Sequence, residues 1–395
     1  MAGRIRVLHP ITRLIVGGAQ ENTLLTAQLL NPDDWAVDIV TGPQTGSEGS
    51  LIEMARAREI PLIIEPSLVR EVNPIQDLRA LFRLARLIRR GQYTIVHTHS
   101  SKAGIVGRWA AKIAGAPVIV HTVHGWGHHD HQHPLVRAYY ILLEKVTLPI
   151  TDKLIVVSPR NIEKGLADGI GKPDDYVVIR SGIEMDRFGH PQTSRAETRA
   201  AWGIPADAPV VGAVTRLSPQ KGPLDFVRAA AEIGAACPGA WFLMVGDGPM
   251  RGEVERLARE LGLAERLVLT GLRRDVPELM AAMDIFALSS LWEGLPRVLP
   301  QAMATGLPIV ATAIDGSCEA IDEGVNGLLT PPGDPHALAQ GVIRLLGDPA
   351  LARRMGEAGR ARAAEFDVRV MVAQIDGLYR ALLAKKKHGN GQVDG

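Results

Sequence analysis

The feature that most limits how this chain can fold is an alternation. Short apolar runs of strand length, Ile5–Leu8, Val37–Val40, Leu62–Ile64, Ile95–His97, Val118–His121 and Lys153–Val157, are separated by longer stretches with helical spacing, among them Ala19–Leu30 and Ile75–Arg90. A further strand near Val177–Arg180 leads into SGIEMDRF. After the polar stretch GHPQTSRAETRAAWGIPADAP the pattern restarts with VVGAV, WFLMVG, LVLTG, DIFALSS and PIVAT, with helical segments between them. Apolar strands joined through helices form parallel sheets covered on both faces. The expectation is α/β, with two doubly wound blocks meeting near residues 190–208. A length of 395 residues is enough for two such cores.

The sequence therefore divides into a first domain over 1–190, a second over 191–366, and a last helix over 367–384. Asp367 suits the N-cap of that helix. Val368, Met371, Val372, Ile375, Leu378, Tyr379 and Leu382 form one apolar stripe along it, which calls for a partner surface. The tail, 385–395, is basic, then Gly-rich and polar, and is expected to be disordered. Doubly wound domains bind ligands at the carboxyl ends of their strands, so a site in a cleft between the two is expected.

Bulk properties exclude several classes. A formal net charge of +1 gives no ground for a nucleic-acid partner. Cys237 and Cys318 lack metal-type spacing and fit a reducing, cytoplasmic setting. No apolar run is long enough to span a bilayer. The early arginines resemble a signal peptide, but His9, Pro10 and Arg13 break the apolar run, and IRVLH reads as a first strand.

Four loops carry candidate chemistry. Gly17-Gly18-Ala19-Gln20 falls between a strand and a helix, where backbone N–H groups can approach an anion, although a glycine pair after a strand is more often just a tight turn. Arg216 and Lys221, in TRLSPQKGP, suit a diphosphate as a planar fork and a point charge, or else form a solvated surface pair. Gly246-Asp247-Gly248-Pro249-Met250-Arg251 resembles half of a dinucleotide fingerprint, but Arg251 replaces the third glycine and a strand-to-helix turn is the better reading. In EGLPRVLPQAMATG, Glu293 can accept from sugar hydroxyls. Pro300 fits a first helical turn, and N–H groups near Arg297 and Val298 can face a phosphate.

Together these pieces resemble the family 4 glycosyltransferases of GT-B fold. The likeness runs through GGAQ, HTVHG, VVSPRNIEKGL, VIRSGIEMDRF, TRLSPQKG, VGDGP, LTGL, SSLWEGLPRVLPQAMATGLPIVAT and EGVNGLL, in that order and over nearly the whole chain. The resemblance implies two Rossmann-like domains and retaining transfer of a hexose-type sugar from a nucleotide-diphosphate sugar such as a UDP-sugar.

 It implies that Gly17 and Gly18 approach the donor diphosphate and that Arg216 and Lys221 bind its charge. Glu293, with the backbone of Leu295, Pro296, Arg297 and Val298, would hold the sugar. His124 would lie beside that sugar, and the nucleoside near Leu272 and Gln301. The last helix would cross back onto the first domain. Neither a metal nor another cofactor is implied, and the acceptor would be a glycan or a lipid-linked sugar. Two positions depart from the family pattern. Pro296 stands where many relatives have glycine, and Gln301 replaces a second glutamate, leaving one acceptor oxygen and no charge. A GT-B epimerase acting on UDP-sugars and a non-catalytic nucleotide-sugar-binding protein are the alternatives.

Two further clusters stand out. The stretch from His121 to His133 holds six of the twelve histidines. It reads as an acceptor-side loop in which Trp126 offers a face to a sugar, rather than as a metal site, since Gly125 and Gly127 interrupt the helix that His124 and His128 would need. On Ile75–Arg90, Arg79, Arg83, Arg86 and Arg90 share one face, and Leu78, Leu81, Phe82, Ala85 and Ile88 another. The basic face suits either solvent or the anionic inner surface of a membrane, where a lipid-linked acceptor would be found.

Overall fold

The computed structural model describes residues 3–44, 49–128 and 132–390. The chain divides into two compact units, Met1–Gly182 with Val368–Gly395, and Ile183–Asp367. The first holds a seven-stranded parallel sheet: β1 (Ile5–Ile11), β2 (Trp35–Thr41), β3 (Leu62–Ile64), β4 (Ile95–His99), β5 (Val118–Val123), β6 (Lys153–Val156) and β7 (Tyr176–Val178), in the order β3-β2-β1-β4-β5-β6-β7. The second holds six: β8 (Val210–Val214), β9 (Trp241–Val245), β10 (Leu267–Leu269), β11 (Ile285–Leu288), β12 (Ile309–Thr312) and β13 (Leu328–Thr330), in the order β10-β9-β8-β11-β12-β13. Each order reverses direction once, between β1 and β4 and between β8 and β11. Loops diverge at such a point and leave a crevice at the strands' carboxyl ends.

Side-chain alternation assigns the two faces of the first sheet. Leu8, Val96 and Ile119 meet Leu84, Ala85, Ile88, Ala110 and Ala111 from the helices Pro74–Gly91 and Ser101–Ala114. Val7, Ile95, Val118 and Val120 meet the apolar stripe of the last helix, Val368–Asn390, at Val368, Met371, Val372, Ile375, Tyr379 and Leu382. That stripe thus finds its partner within the first unit. Trp35 adds its indole N–H to Asp376 at 2.7 Å, and Arg380 reaches Asp34 at 2.7 Å.

Three expectations change. The division falls at Gly182 rather than at residue 190, because Met185–Gly189 packs on the second unit's helices Val276–Ala281 and Val298–Thr305 and buries Phe188. The last helix runs on to Asn390, into the stretch expected to be a tail, and Lys386 reaches Asp152 at 2.7 Å; residues 391–395 lie outside the described residues. On the helix Pro74–Gly91, Leu78 and Phe82 are not on the core side. They stand exposed at 54% and 59%, and the buried face is Ala80, Leu84, Ala85 and Ile88. The packing of this helix on Ser101–Ala114 selects that face. No helix among the described residues is long and apolar enough to cross a membrane.

Candidate active site

In the second unit the loops after β8 and β11 flank the point where strand order reverses, and they are fastened together. Gln220 Nε2 donates to the Trp292 carbonyl at 2.8 Å, and the Leu291 N–H donates to the Gln220 carbonyl at 2.8 Å. Gly222 permits this approach. Its φ is +54°, and a Cβ there would lie 2.3 Å from the Ser289 carbonyl oxygen. The result brings Lys221 Nζ to 2.5 Å from Glu293 Oε1, which also accepts from Ser290 Oγ at 2.7 Å. Both charged side chains are largely shielded from solvent, so their attraction is stronger than that of a surface pair.

The stretch after Glu293 is held close as well. A Cβ on Gly316 would lie 1.9 Å from the Gly294 carbonyl oxygen. Leu295, Pro296 and Arg297 are buried, and the helix Val298–Thr305 opens at Val298 without a side-chain cap. Gln301 lies in its first turn, with its N–H on the Arg297 carbonyl at 3.2 Å. Arg216 is exposed at the head of the β8 loop. Leu272 is exposed in the loop after β10, three strands from β11 in the sheet order, on the order of 14 Å at the usual strand spacing. Lys221 and Glu293 are therefore brought together, whereas Leu272, in the loop after β10, and Gln301, in the helix after β11, belong to separate elements.

In the first unit the loops after β1 and β4 meet in the same manner. Thr12 Oγ1 lies 2.8 Å from Ser100 Oγ and accepts from the Ala103 N–H at 3.1 Å. Ser100 has φ +62°, a conformation that costs a non-glycine residue of order 1–3 kcal/mol and is found most at functional sites. Gly17, in extended conformation, and Gly18 open the helix Gly18–Leu29, which has no side-chain cap. His124 follows β5, partly exposed, with Nε2 at 3.1 Å from His99 Nδ1.

The histidine-rich stretch does not act as one cluster. His121 turns to Thr98, His124 to His99, and His128 to Asp168 at 2.8 Å; residues 129–131 lie outside the described residues. Trp126 is a packing residue rather than a free face. Its N–H donates to the Asn161 carbonyl at 2.9 Å, and its ring would meet a Cβ on Gly165 at 2.7 Å.

Sequence reasoning passed over a different histidine group. His9, His97 and His99 are buried, with one ring nitrogen of each within 4.8 Å of the others. Their signal was present as polar residues inside apolar strands, with His97 and His99 two apart and so on one face. A metal would have to compete with existing bonds, because His97 spends both nitrogens on Tyr379 and Thr122.

Comparison with known proteins extends this picture. Residues 194–362 match the family described as glycosyl transferases group 1, and residues 17–182 match the glycosyl transferase 4-like domain. The chain is 30% identical to the UDP-Gal:alpha-D-GlcNAc-diphosphoundecaprenol alpha-1,3-galactosyltransferase of Escherichia coli, over 97% of this chain and 98% of that one. It is 31% identical to a D-inositol 3-phosphate glycosyltransferase of Corynebacterium aurimucosum, over 92% and 90%. Its fold is similar to that of Anabaena HepE crystallised with UDP and glucose, with TM-score 0.83, 24% identity, and 96% and 100% of the two chains covered. It is also similar to a sucrose-phosphate synthase of Thermosynechococcus elongatus, with TM-score 0.81, 26% identity, and 97% and 100% covered.

Proposed function

The chain belongs to the family 4 glycosyltransferases, of GT-B fold, and from that premise we propose that it is a retaining hexosyltransferase that uses a UDP-sugar and extends a lipid-linked glycan. The observation that carries this reading is the Lys221–Glu293 pair at the second unit's reversal point. A carboxylate for sugar hydroxyls and an ammonium for the leaving diphosphate stand on adjoining loops. Arg216 adds a second cation, and the opening of the helix Val298–Thr305 adds backbone dipole. These groups meet the charge that develops on the leaving group with no metal required of them. Leu295 to Val298 line the sugar and phosphate, and Leu272 and Gln301 serve the nucleoside; Gly17, Gly18 and His124, on the first unit, are the residues that the family resemblance assigns to the donor. With no nucleophile assigned, the acceptor attacks the face the diphosphate leaves, and a phosphate oxygen takes its proton.

The test is a thermal-shift series with UDP, GDP and ADP and their sugars, followed by transfer to a sugar on a lipid diphosphate. A ligand that binds only the folded state raises its stability. The expected result is a shift with UDP-sugars and a product that keeps the donor's anomeric configuration by NMR. Inversion would overturn the mechanism, and binding without transfer would favour a nucleotide-sugar-binding protein. Gln301→Glu should raise donor affinity a few-fold, about 1 kcal/mol for one charge-assisted bond, and leave turnover unchanged. A large change in turnover alone would contradict Gln301's placement at the nucleoside.

The reading includes contact with an anionic membrane through the helix Pro74–Gly91. Its outer face carries Arg79, Arg83, Arg86 and Arg90 together with exposed Ile75, Leu78 and Phe82. Mixed basic and large apolar groups suit an interface better than charge alone. Four arginines contribute roughly 1 kcal/mol each near an anionic surface, although Arg83 also pairs with Glu65. Flotation with phosphatidylglycerol vesicles at low salt should fall about tenfold or more when the four are changed to Gln. Equal flotation by the variant, or equal binding to neutral vesicles, would refute the contact.

A further inference from the structure

Glu293 meets its two partners in different ways. Lys221 Nζ lies 2.5 Å from Glu293 Oε1, at the end of a long flexible stem. Such an ammonium is a point charge and does not fix how a carboxylate is turned. Ser290 Oγ donates to the same oxygen at 2.7 Å, from a stem of a single methylene. A hydroxyl bond of that length is directional. Lys221 therefore supplies charge, and Ser290 supplies aim.

Ser290 is itself held from behind. Thr312 Oγ1, at the end of β12, donates to the Ser290 carbonyl at 2.5 Å. Ser290 and Thr312 are 0% and 2% exposed, so neither hydroxyl can reach a substrate. The neighbouring Ser289 spends its Oγ on the Lys221 carbonyl at 3.1 Å. The line from Thr312 through Ser290 and Glu293 to Lys221 thus crosses the ends of β12, β11 and β8, which are neighbours in the sheet.

Holding Oε1 leaves Oε2. No group among the described residues donates a hydrogen bond to Oε2, and that atom is not shut off from solvent. Its lone pairs suit a hydroxyl donor. The last torsion of a glutamate is broad, so the carboxylate plane has little preference of its own. The bond from Ser290 selects one plane.

We propose that Ser290, seated by Thr312, is a positioning residue that turns the Glu293 carboxylate so that Oε1 stays with Lys221 and Oε2 faces the hydroxyls of the donor sugar. The consequence for the reaction rests on the reading that Glu293 holds that sugar. The ion pair then stays together when the donor arrives, since the ammonium has further N–H groups to offer the diphosphate.

The test compares Ser290→Ala, Ser290→Thr and Thr312→Val with wild type, on the full chain. UDP is the binding probe. UDP-galactose, UDP-glucose and their singly deoxygenated forms are the donors. Ser290→Ala should lower kcat about tenfold, the worth of one hydrogen bond to a charged group, while the Kd for UDP, which has no sugar, stays within about twofold. Ser290→Thr returns the hydroxyl and should recover most of the rate. Thr312→Val keeps the side-chain shape and should lower kcat about threefold. In wild type, loss of the hydroxyl that Oε2 receives should slow transfer on the order of a hundredfold. In Ser290→Ala the same loss should cost less than about tenfold, because both changes act through one carboxylate. Val342→Ala, in the core of the second unit, should lower the melting temperature and leave this discrimination unchanged, which separates aim from general destabilisation.

Equal deoxy-sugar penalties in wild type and Ser290→Ala, or wild-type kcat in Ser290→Ala, would overturn the proposal. So would UDP affinity that falls in step with kcat, the mark of a disordered loop. Wild type that transfers neither sugar would count against the functional reading instead. The carbon NMR signal of the Glu293 carboxylate, assigned by Glu293→Gln, then still decides the positioning. It should move in Ser290→Ala and return in Ser290→Thr, and a signal unmoved by Ser290→Ala would refute it.

Discussion

Lys221→Ala should transfer sugar on the order of a hundred- to a thousandfold more slowly than wild type, the usual cost of removing one group aimed at developing charge. Two effects combine. On the proposed function, the leaving diphosphate loses an ammonium held on a short turn between β8 and the helix Pro223–Ala236. Glu293 loses the partner at 2.5 Å and keeps Ser290 alone, so the carboxylate meant for the sugar is less firmly aimed. Stability should fall by far less than the rate: Glu293 is left shielded without its cation, but the loop remains fastened by Gln220, Leu291 and Gly222. Lys221→Arg should recover part of the rate, since it restores charge but replaces a point charge with a broad fork. Steady-state transfer beside a melting curve checks both statements. Near-wild-type turnover in Lys221→Ala would remove the second unit's loops from the chemistry.

The second large effect concerns acid. The stability of the first unit should collapse between about pH 6.5 and 5. Burial pulls the His9 ring down to about 3 and holds His97, His99 and His121 well below the ordinary histidine value, with the neighbouring rings, and Arg108 beside His121, acting in the same sense. Desolvation also lowers His128, with Asp168 opposing. The unfolded chain therefore binds protons that the folded chain refuses. The neutral rings carry no penalty above the unfolded value of about 6.5, and the penalty grows as pH falls toward their folded values. Each fully buried ring costs about 1 kcal/mol or slightly more per pH unit, so four cost on the order of 4–6 kcal/mol over the first pH unit below 6.5. That is comparable with the whole stability of a typical domain. Circular dichroism and calorimetry across this range should show a steep fall in melting temperature, and a flat profile from pH 7 to 5 would contradict the burial of these rings.

Both sheets were legible because parallel strands, covered on both faces, appear as uninterrupted apolar runs, and VVGAV and IVAT are observed as β8 and β12 with little adjustment. The loops of Lys221 and Glu293 were legible for a related reason: glycine and proline mark the turns that bring them together. Other features depend on distant contacts. Leu78 and Phe82 fit an apolar stripe on paper, and only the packing of the neighbouring helix shows that Ala80 and Leu84 face the core instead. His9, His97 and Tyr379 are far apart in sequence, and no local pattern pairs a residue of β1 with one near the chain's end. Trp126 looked available because its partner carbonyl, on Asn161, belongs to another element.

The last helix has a consequence for the order of synthesis. Residues of the first unit's core at Val368, Met371, Val372, Ile375, Tyr379 and Leu382 leave the ribosome only after the whole of the second unit has been made. Until then, the face of the first sheet formed by Val7, Ile95, Val118 and Val120 lacks its cover, and His97 lacks the hydroxyl of Tyr379. The second unit is continuous and can complete its core as it emerges, so the half of the protein made first is the half finished last.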